Sequence, residues 1–377
     1  MSQTLEINKK VSTDEILEKE HTEITVSSDS VGVNQILNYT IEELDEVVKE
    51  CKESKFRAKQ LFEWFHKKRV CNYDEMLNLP IKFRENLKNK YPIEPIVMLE
   101  KYTSNIDGTI KYLFELNDSH IIESVLMRYK HGNSVCISSQ VGCRMGCTFC
   151  ASTVEGRVRN LMASEMLAQV YAIGEDTGER ITNIVVMGSG EPLEELSTTL
   201  RFIELINHEA GQNIGQRHIT ISTCGLVPEI KLLADKKLQI NLAISLHAAT
   251  DDKRKAIMPI TRKYGIEELL NACRYFTDMT GRRITFEYAL ISEENDFADD
   301  AKRLGELLKG MLCHVNLIPV NKIEERKYTS SPEKRIDKFK IILEGYGVTT
   351  TLRRTLGADI EAACGQLRRR YLKKRGE

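Results

Sequence analysis

From Ser134 to about Gly347 short β-branched runs alternate with amphipathic stretches, and this rhythm restricts the fold more than any other feature of the chain. Strands are expected near 134–139, 182–187, 217–222, 239–246, 283–291 and 314–319. Helical stretches such as 163–174, 265–279 and 332–345 fall between them. Six βα units in series imply a parallel sheet with right-handed crossovers, wound into a full or partial barrel. A last strand is expected at 348–353. The 377 residues are enough for one such domain with an appendage or two.

In a parallel barrel the strand C-termini form the working face, and the unusual residues of this chain lie at those ends. The first strand runs into a cysteine-rich loop, the second into Gly188-Ser-Gly-Glu-Pro192, the third into Ser222-Thr-Cys-Gly225. The fourth ends Ser245-Leu-His247 and the sixth Pro319-Val-Asn321. Each cluster alone is weak, since a Gly-rich turn is often only a turn and one histidine is often structural. Their recurrence at equivalent positions is the signal. Gly190 would allow close backbone approach, and Glu191 would accept hydrogen bonds from an ammonium group.

The cysteine loop reads Cys143-Arg-Met-Gly-Cys147-Thr-Phe-Cys150. Three thiolates from one short loop hold an iron–sulfur cube by three of its irons and leave the fourth open for chemistry. The competing reading is structural zinc, which wants four protein ligands and would recruit Cys136 as the fourth. Zinc ribbons usually carry two separated cysteine pairs, which favours the cluster.

The flanks differ from the barrel. Residues 1–36 carry three lysines against seven acids and no sustained period, so a loosely attached leader is expected. Thr40-Ile-Glu-Glu43 reads as a capping box opening a helix, and Ala58, Leu61, Phe62 and Phe65 form the apolar stripe of a second. A third is expected over 81–91. Residues 52–90 hold eleven lysines and arginines against five acids, giving a small basic helical domain over 37–95. Trp64 lies off the stripe and is expected to pack rather than stack on a base. A β-hairpin over 96–132 has Glu123 in its second strand, where a carboxylate usually faces solvent. The barrel follows over 133–353, and 354–377 end in a basic tail. There Ile360, Cys364, Leu367 and Tyr371 form one helical stripe, making a buried core thiol the periodicity reading of Cys364. The second basic cluster raises RNA as a partner. Ten cysteines without an export signal point to reduced thiols in the cytoplasm, and no membrane span is expected.

The triplet with Phe149 in its penultimate slot resembles the signature of radical S-adenosylmethionine (SAM) enzymes. Together with Val135-Cys-Ile-Ser-Ser-Gln-Val-Gly-Cys143, Gly190-Glu-Pro, Ser245-Leu-His and Ala363-Cys-Gly-Gln, it makes residues 38–370 similar to the RlmN family of ribosomal RNA methyltransferases, with Cfr as sister group. The resemblance implies a partial (βα)6 radical-SAM barrel with a helical accessory domain and a β-hairpin linker. It implies that Cys143, Cys147 and Cys150 bind a [4Fe–4S] cluster, and that Gly190, Glu191, Ser222, Ser245, Leu246, His247 and Asn321 contact SAM.

The same resemblance implies that Cys364 carries a methyl group, that Cys136 resolves the RNA–enzyme link by forming a disulfide with it, and that Glu123 accepts a proton. The implied reaction uses two SAM per turnover to methylate C2 of an adenosine in 23S rRNA, with tRNA as a second substrate and flavodoxin or ferredoxin as electron donor. Two other readings remain at this level. One is a Cfr-like C8 methyltransferase; the other is a non-catalytic zinc protein that binds RNA through its basic regions.

Overall fold

Strand formation follows the expected rhythm closely, and the strands assemble more continuously than a barrel with a separate hairpin. The structure, a computed structural model, describes residues 35–320, 327–360 and 366–375. The acidic leader lies outside these residues except for Gln35 and Ile36.

Among the described residues there are twelve strands: β1 (Val97–Thr103), β2 (Ile110–Glu115), β3 (Ile121–Tyr129), β4 (Gly132–Ile137), β5 (Gln140–Gly142), β6 (Arg157–Asn160), β7 (Ile181–Val186), β8 (Ile219–Thr223), β9 (Asn241–Ser245), β10 (Ile284–Leu290), β11 (Cys313–Pro319) and β12 (Thr350–Leu352). Ten of them form one sheet in the order β1-β2-β3-β4-β7-β8-β9-β10-β11-β12. From β4 onward all neighbours are parallel, whereas β1 to β4 pair antiparallel. The two end strands do not close on each other, so the barrel is partial. The expected hairpin is thus an extension of the barrel sheet, with Val125 opposite Cys136 across the β3–β4 pair. Strands β5 and β6, which sequence rhythm does not announce, form a small antiparallel ribbon around the cysteine loop.

Eleven helices occur among the described residues: α1 (Ile41–Glu50), α2 (Phe56–Phe62), α3 (Ile81–Lys90), α4 (Ala163–Thr177), α5 (Leu196–Asn207), α6 (Val227–Asp235), α7 (Asp251–Ile257), α8 (Ile266–Thr280), α9 (Ala298–Leu308), α10 (Glu333–Gly345) and α11 (Gln366–Arg375). The Thr40–Glu43 capping box forms at the start of α1, satisfying two backbone donors that a helix N-terminus leaves open. Ala58, Leu61, Phe62 and Phe65 are all buried, and they share one apolar core with the barrel helices. Trp64 packs against that core, donates its indole N–H to Asn78 Oδ1 at 2.6 Å and carries the Lys68 ammonium over its ring.

Alternation along β2 and β3 sends Tyr112, Phe114, Ile122 and Leu126 into the main core. It sends Leu113, Ile121, Val125 and Met127 to the opposite face. Leu367 of α11 closes over Leu113 and Ile121. That second burial corrects the expectation for Glu123: a strand covered on both faces has no solvent side, and Glu123 is only 4% exposed.

Candidate active site

The cysteine loop is held by its main chain. Cys143 N donates to Gly156 O at 3.0 Å, tying the loop to the turn before β6, and Thr148 N donates to Ile257 O at 2.9 Å. Thr153 Oγ1 closes the loop's end on the carbonyls of Cys147 and Cys150, at 2.9 and 3.0 Å. Cys147 and Cys150 sit among Met145, Phe149, Cys224, Met258, Ile291 and Val320. Burial pushes the Cys143 thiol up to about 12 and the Cys147 thiol well above its ordinary value, and the neighbouring Cys150 adds to both shifts. Among the described residues no three His, Cys, Asp or Glu side chains gather as one mononuclear ion requires. A cube differs, because each thiolate takes its own iron. A dry apolar pocket presenting three neighbouring thiols fits that group, and loading it would displace their protons.

Next to the loop, Glu191 is 3% exposed, and among the described residues no cation pairs with it. Its carboxylate accepts from Cys224 N at 2.7 Å and Leu193 N at 3.1 Å. Burial raises its pKa, and these backbone amides hold it partly down. The Thr223 and Cys224 side chains also bond it, so all its donors are neutral and a ligand's ammonium would share the carboxylate with them. Gly190 has φ +114°, and a Cβ there would stand 2.6 Å from Ser139 Oγ and 2.7 Å from Gln140. Its lack of a side chain therefore lets the turn close on the β4–β5 connection.

His247 takes a left-handed backbone, φ +56°, at the end of β9. Its Nδ1 accepts from Ala289 N at 2.9 Å, which leaves the proton on Nε2. Burial, with the nearby Arg254 charge, depresses its pKa to about 3, so the ring is neutral. The Phe149 ring meets it edge-on at 4.8 Å, linking the cysteine loop to the β9 rim. Ser222 and Ser245 are partly exposed at the ends of β8 and β9. Leu246, by contrast, has a fully buried side chain in the main core, with its main-chain groups bonded to Glu287 O and Arg254. Asn321 lies outside the described residues.

On the antiparallel side, Glu123 faces Lys111 Nζ at 3.2 Å, both side chains almost wholly buried. Arg368 N of α11 also donates to Glu123. Cys136 is buried on β4 beside Val125 and Met127. Cys364, and with it the expected Cys136–Cys364 disulfide, lies outside the described residues. Cys71 is exposed and Cys51 half-buried, whereas Cys224, Cys273 and Cys313 are buried as expected of core thiols.

Sequence reasoning missed three rim residues. Arg254 is fully buried and clamps the carbonyls of Cys224, Ser245 and Leu246. Cys224 supplies the amide that holds Glu191. Glu287 is buried opposite Ser245 and accepts from Asn316 Nδ2 at 2.9 Å, with burial raising its pKa. A charged residue on an amphipathic helix or strand gives no signal by periodicity, so only the fold reveals Arg254 and Glu287; Cys224 stood in the rim cluster Ser222–Gly225 without an assigned role.

Two family models match the chain: the radical SAM superfamily over residues 137–305 and the ribosomal RNA large subunit methyltransferase N-terminal domain over 34–93. A protein of Clostridium botulinum, named "Probable dual-specificity RNA methyltransferase RlmN", is 56% identical over 90% of this chain and 98% of its own length. A protein of the same name from Clostridium perfringens is 56% identical over 91% of this chain and 99% of its own length. The crystal structure of a radical SAM methyltransferase from Sphaerobacter thermophilus superposes with a TM-score of 0.84 at 43% identity, covering 88% of this chain and 98% of that one.

Proposed function

The chain belongs to the RlmN family of radical SAM methyltransferases, and from that premise we propose that it methylates C2 of an adenosine in 23S rRNA, and of an adenosine in tRNA, through a methylated Cys364. The observation that carries the reading is the meeting, in one partial barrel, of the three-thiol loop with a buried carboxylate that no cation among the described residues pairs with.

Cys143, Cys147 and Cys150 would hold a [4Fe–4S] cluster, and Glu191, Ser222, Ser245 and His247, with Gly190, Leu246 and Asn321, would contact SAM. When bound, the cluster and SAM supply one-electron cleavage and hydrogen-atom abstraction, a route to an electron-poor carbon that polar methyl transfer does not alkylate. Everything else falls to the chain. The Cys364 thiolate would attack the methyl carbon of one SAM, expelling S-adenosylhomocysteine, and a second SAM would be consumed in the radical step that joins the Cys364 S-methylene carbon to C2. Glu123 removes the proton from C2. Cys136 then attacks the Cys364 sulfur, expelling the product RNA and leaving a disulfide that an external reductant reopens.

The local geometry supports those roles. Helix α11 begins two residues after Cys364 and packs on β3, donating from Arg368 N to Glu123. Cys136 lies opposite Val125, on the same strand face as Glu123. The base must leave its stack to reach this mouth, and the exposed lysines of α1–α3 would hold the surrounding RNA by its phosphates. Flavodoxin or ferredoxin would supply the electrons. No helix among the described residues is long and apolar enough to cross a membrane.

Anaerobic reconstitution followed by mass analysis of digested 23S rRNA and tRNA tests the reading. The expected product is 2-methyladenosine in both RNAs. Normal turnover by Cys364→Ala would overturn the methyl-carrier role, and methylation at C8 would overturn the position.

A further inference from the structure

A permanently charged side chain is buried beside the cysteine loop with no acid to answer it. Arg254, on α7, has no exposed surface. Its guanidinium donates to Leu246 O at 3.1 Å, Ser245 O at 3.1 Å, Cys224 O at 2.6 Å and Thr261 Oγ1 at 3.0 Å. Every one of these acceptors is neutral. Among the described residues no carboxylate lies within ion-pair distance of Arg254, and Asp251, one turn earlier, spends an oxygen on Ile266 N at 2.8 Å. Burying an unpaired charge is costly, and such charges in proteins are usually paired or set against a metal site.

The place of α7 says what the charge faces. Ile257, its last residue, accepts from Thr148 N, between the second and third cysteines. Just beyond, a Cβ on Gly146 would stand 3.3 Å from Pro259, so the cysteine loop rests directly on the end of this helix and the following turn. Cys147, Cys224, Ile257 and Met258 share one buried cluster. Arg254 therefore lies within one helical turn of the loop's main-chain anchor, in apolar surroundings where charge acts at low dielectric.

We propose that Arg254 is a positioning residue whose fixed positive charge answers the negative charge of the iron–sulfur cluster held by Cys143, Cys147 and Cys150, and raises the potential at which that cluster takes up an electron. The inference rests on the cluster reading of the cysteine loop. A cube bound by thiolates carries net negative charge and gains one more on reduction. A neighbouring cation stabilises the reduced state more than the oxidised one, and local charge is among the levers that set such potentials. The step is the entry of one electron from a low-potential one-electron donor; no covalent bond forms or breaks. The four neutral acceptors keep the guanidinium fixed, so it does not swing toward solvent when the cluster changes state.

A purely structural Arg254 would serve only to satisfy carbonyls left over at the ends of β8 and β9. Reductive titration of the anaerobically reconstituted full chain with dithionite, followed by electron paramagnetic resonance, separates the two. Wild type is compared with Arg254→Lys, which keeps the charge, and Arg254→Gln, which keeps hydrogen bonding without it. The expected result is a fall of about tenfold or more in the reduced-to-oxidised ratio for Arg254→Gln at fixed potential, a negative shift of about 59 mV for one electron, with Arg254→Lys closer to wild type. A wild-type potential in Arg254→Gln, or equal shifts in both variants, overturns the inference. Should Arg254→Gln take up no iron, loading decides the matter. Normal iron and sulfide in Arg254→Lys then supports a requirement for charge, and an empty Arg254→Lys overturns it. Failure of the wild-type chain itself to bind iron and sulfide would instead overturn the cluster reading, and this inference with it.

Discussion

Two buried carboxylates flank the barrel mouth and are kept there by opposite means. Glu123, on the antiparallel extension, has its own cation, Lys111, 3.2 Å away, and a main-chain donor from α11. Glu191, on the parallel side, has neutral donors, two backbone amides and the side chains of Thr223 and Cys224. One charge is balanced inside the protein; the other is left for something that binds. This contrast separates a group whose cation is built into the fold from one that becomes comfortable only beside a positively charged ligand. The strand type explains the difference. Cross-strand neighbours on the β2–β3 pair put a lysine next to a glutamate on a covered face, whereas a turn after a parallel strand offers mainly amide donors.

The sharpest way to break this contrast is to delete the internal cation. Lys111→Met removes the cation beside the buried Glu123, and is expected to cost about 3–5 kcal/mol in urea denaturation. Glu191→Gln, which removes a charge without orphaning a partner, is expected to cost less than about 2 kcal/mol. Equal losses would mean that Glu123 is not held by its ion pair.

Ligand affinity should rank the two sites in reverse. Glu191→Gln is expected to weaken SAM binding by about 1.5–3 kcal/mol, the worth of a hydrogen bond to a charged group, or roughly ten- to a hundredfold. Glu123→Gln should leave it within about twofold, the change expected when no contact to the ligand is lost. Equilibrium dialysis of the reconstituted chain measures both, and undiminished affinity in Glu191→Gln would remove it from the ligand's ammonium.

Much of this arrangement was legible in the residues. Period-two alternation placed the strands within a few residues, and the cluster of Gly, Ser, Glu and His at strand ends located the rim, because strand direction fixes where side chains of a parallel barrel can meet. The failures share a cause. Glu123 was read as solvent-facing because alternation tells which residues share a face, and cannot tell that α11, some 240 positions later, returns to cover it. Arg254 and Glu287 were invisible for the same reason: a buried charge is defined by distant partners, here the ends of β8 and β9 and the Asn316 amide. Gly190 was found, but the packing that also requires a glycine there was not, since the Ser139 and Gln140 side chains that crowd it belong to a different strand connection.

The smallest effect refines the contrast through pH. Because burial raises the Glu191 carboxyl above its ordinary value near 4.5, the folded chain holds that proton after the unfolded chain has released it. Between the two values the native state binds more protons, so this group lowers stability as pH rises through the window and contributes nothing to the slope below it. Glu191→Gln abolishes the effect. Measured by urea denaturation from pH 4 upward, the variant should therefore gain on wild type by up to about 1.4 kcal/mol per pH unit, starting near pH 4.5 and levelling off once the native carboxyl ionises. Saturating SAM should flatten the same difference, since the ligand's ammonium supplies the cation that the fold withholds. A difference independent of pH would mean that the two backbone amides already balance the charge, and that the two carboxylates differ less than their partners suggest.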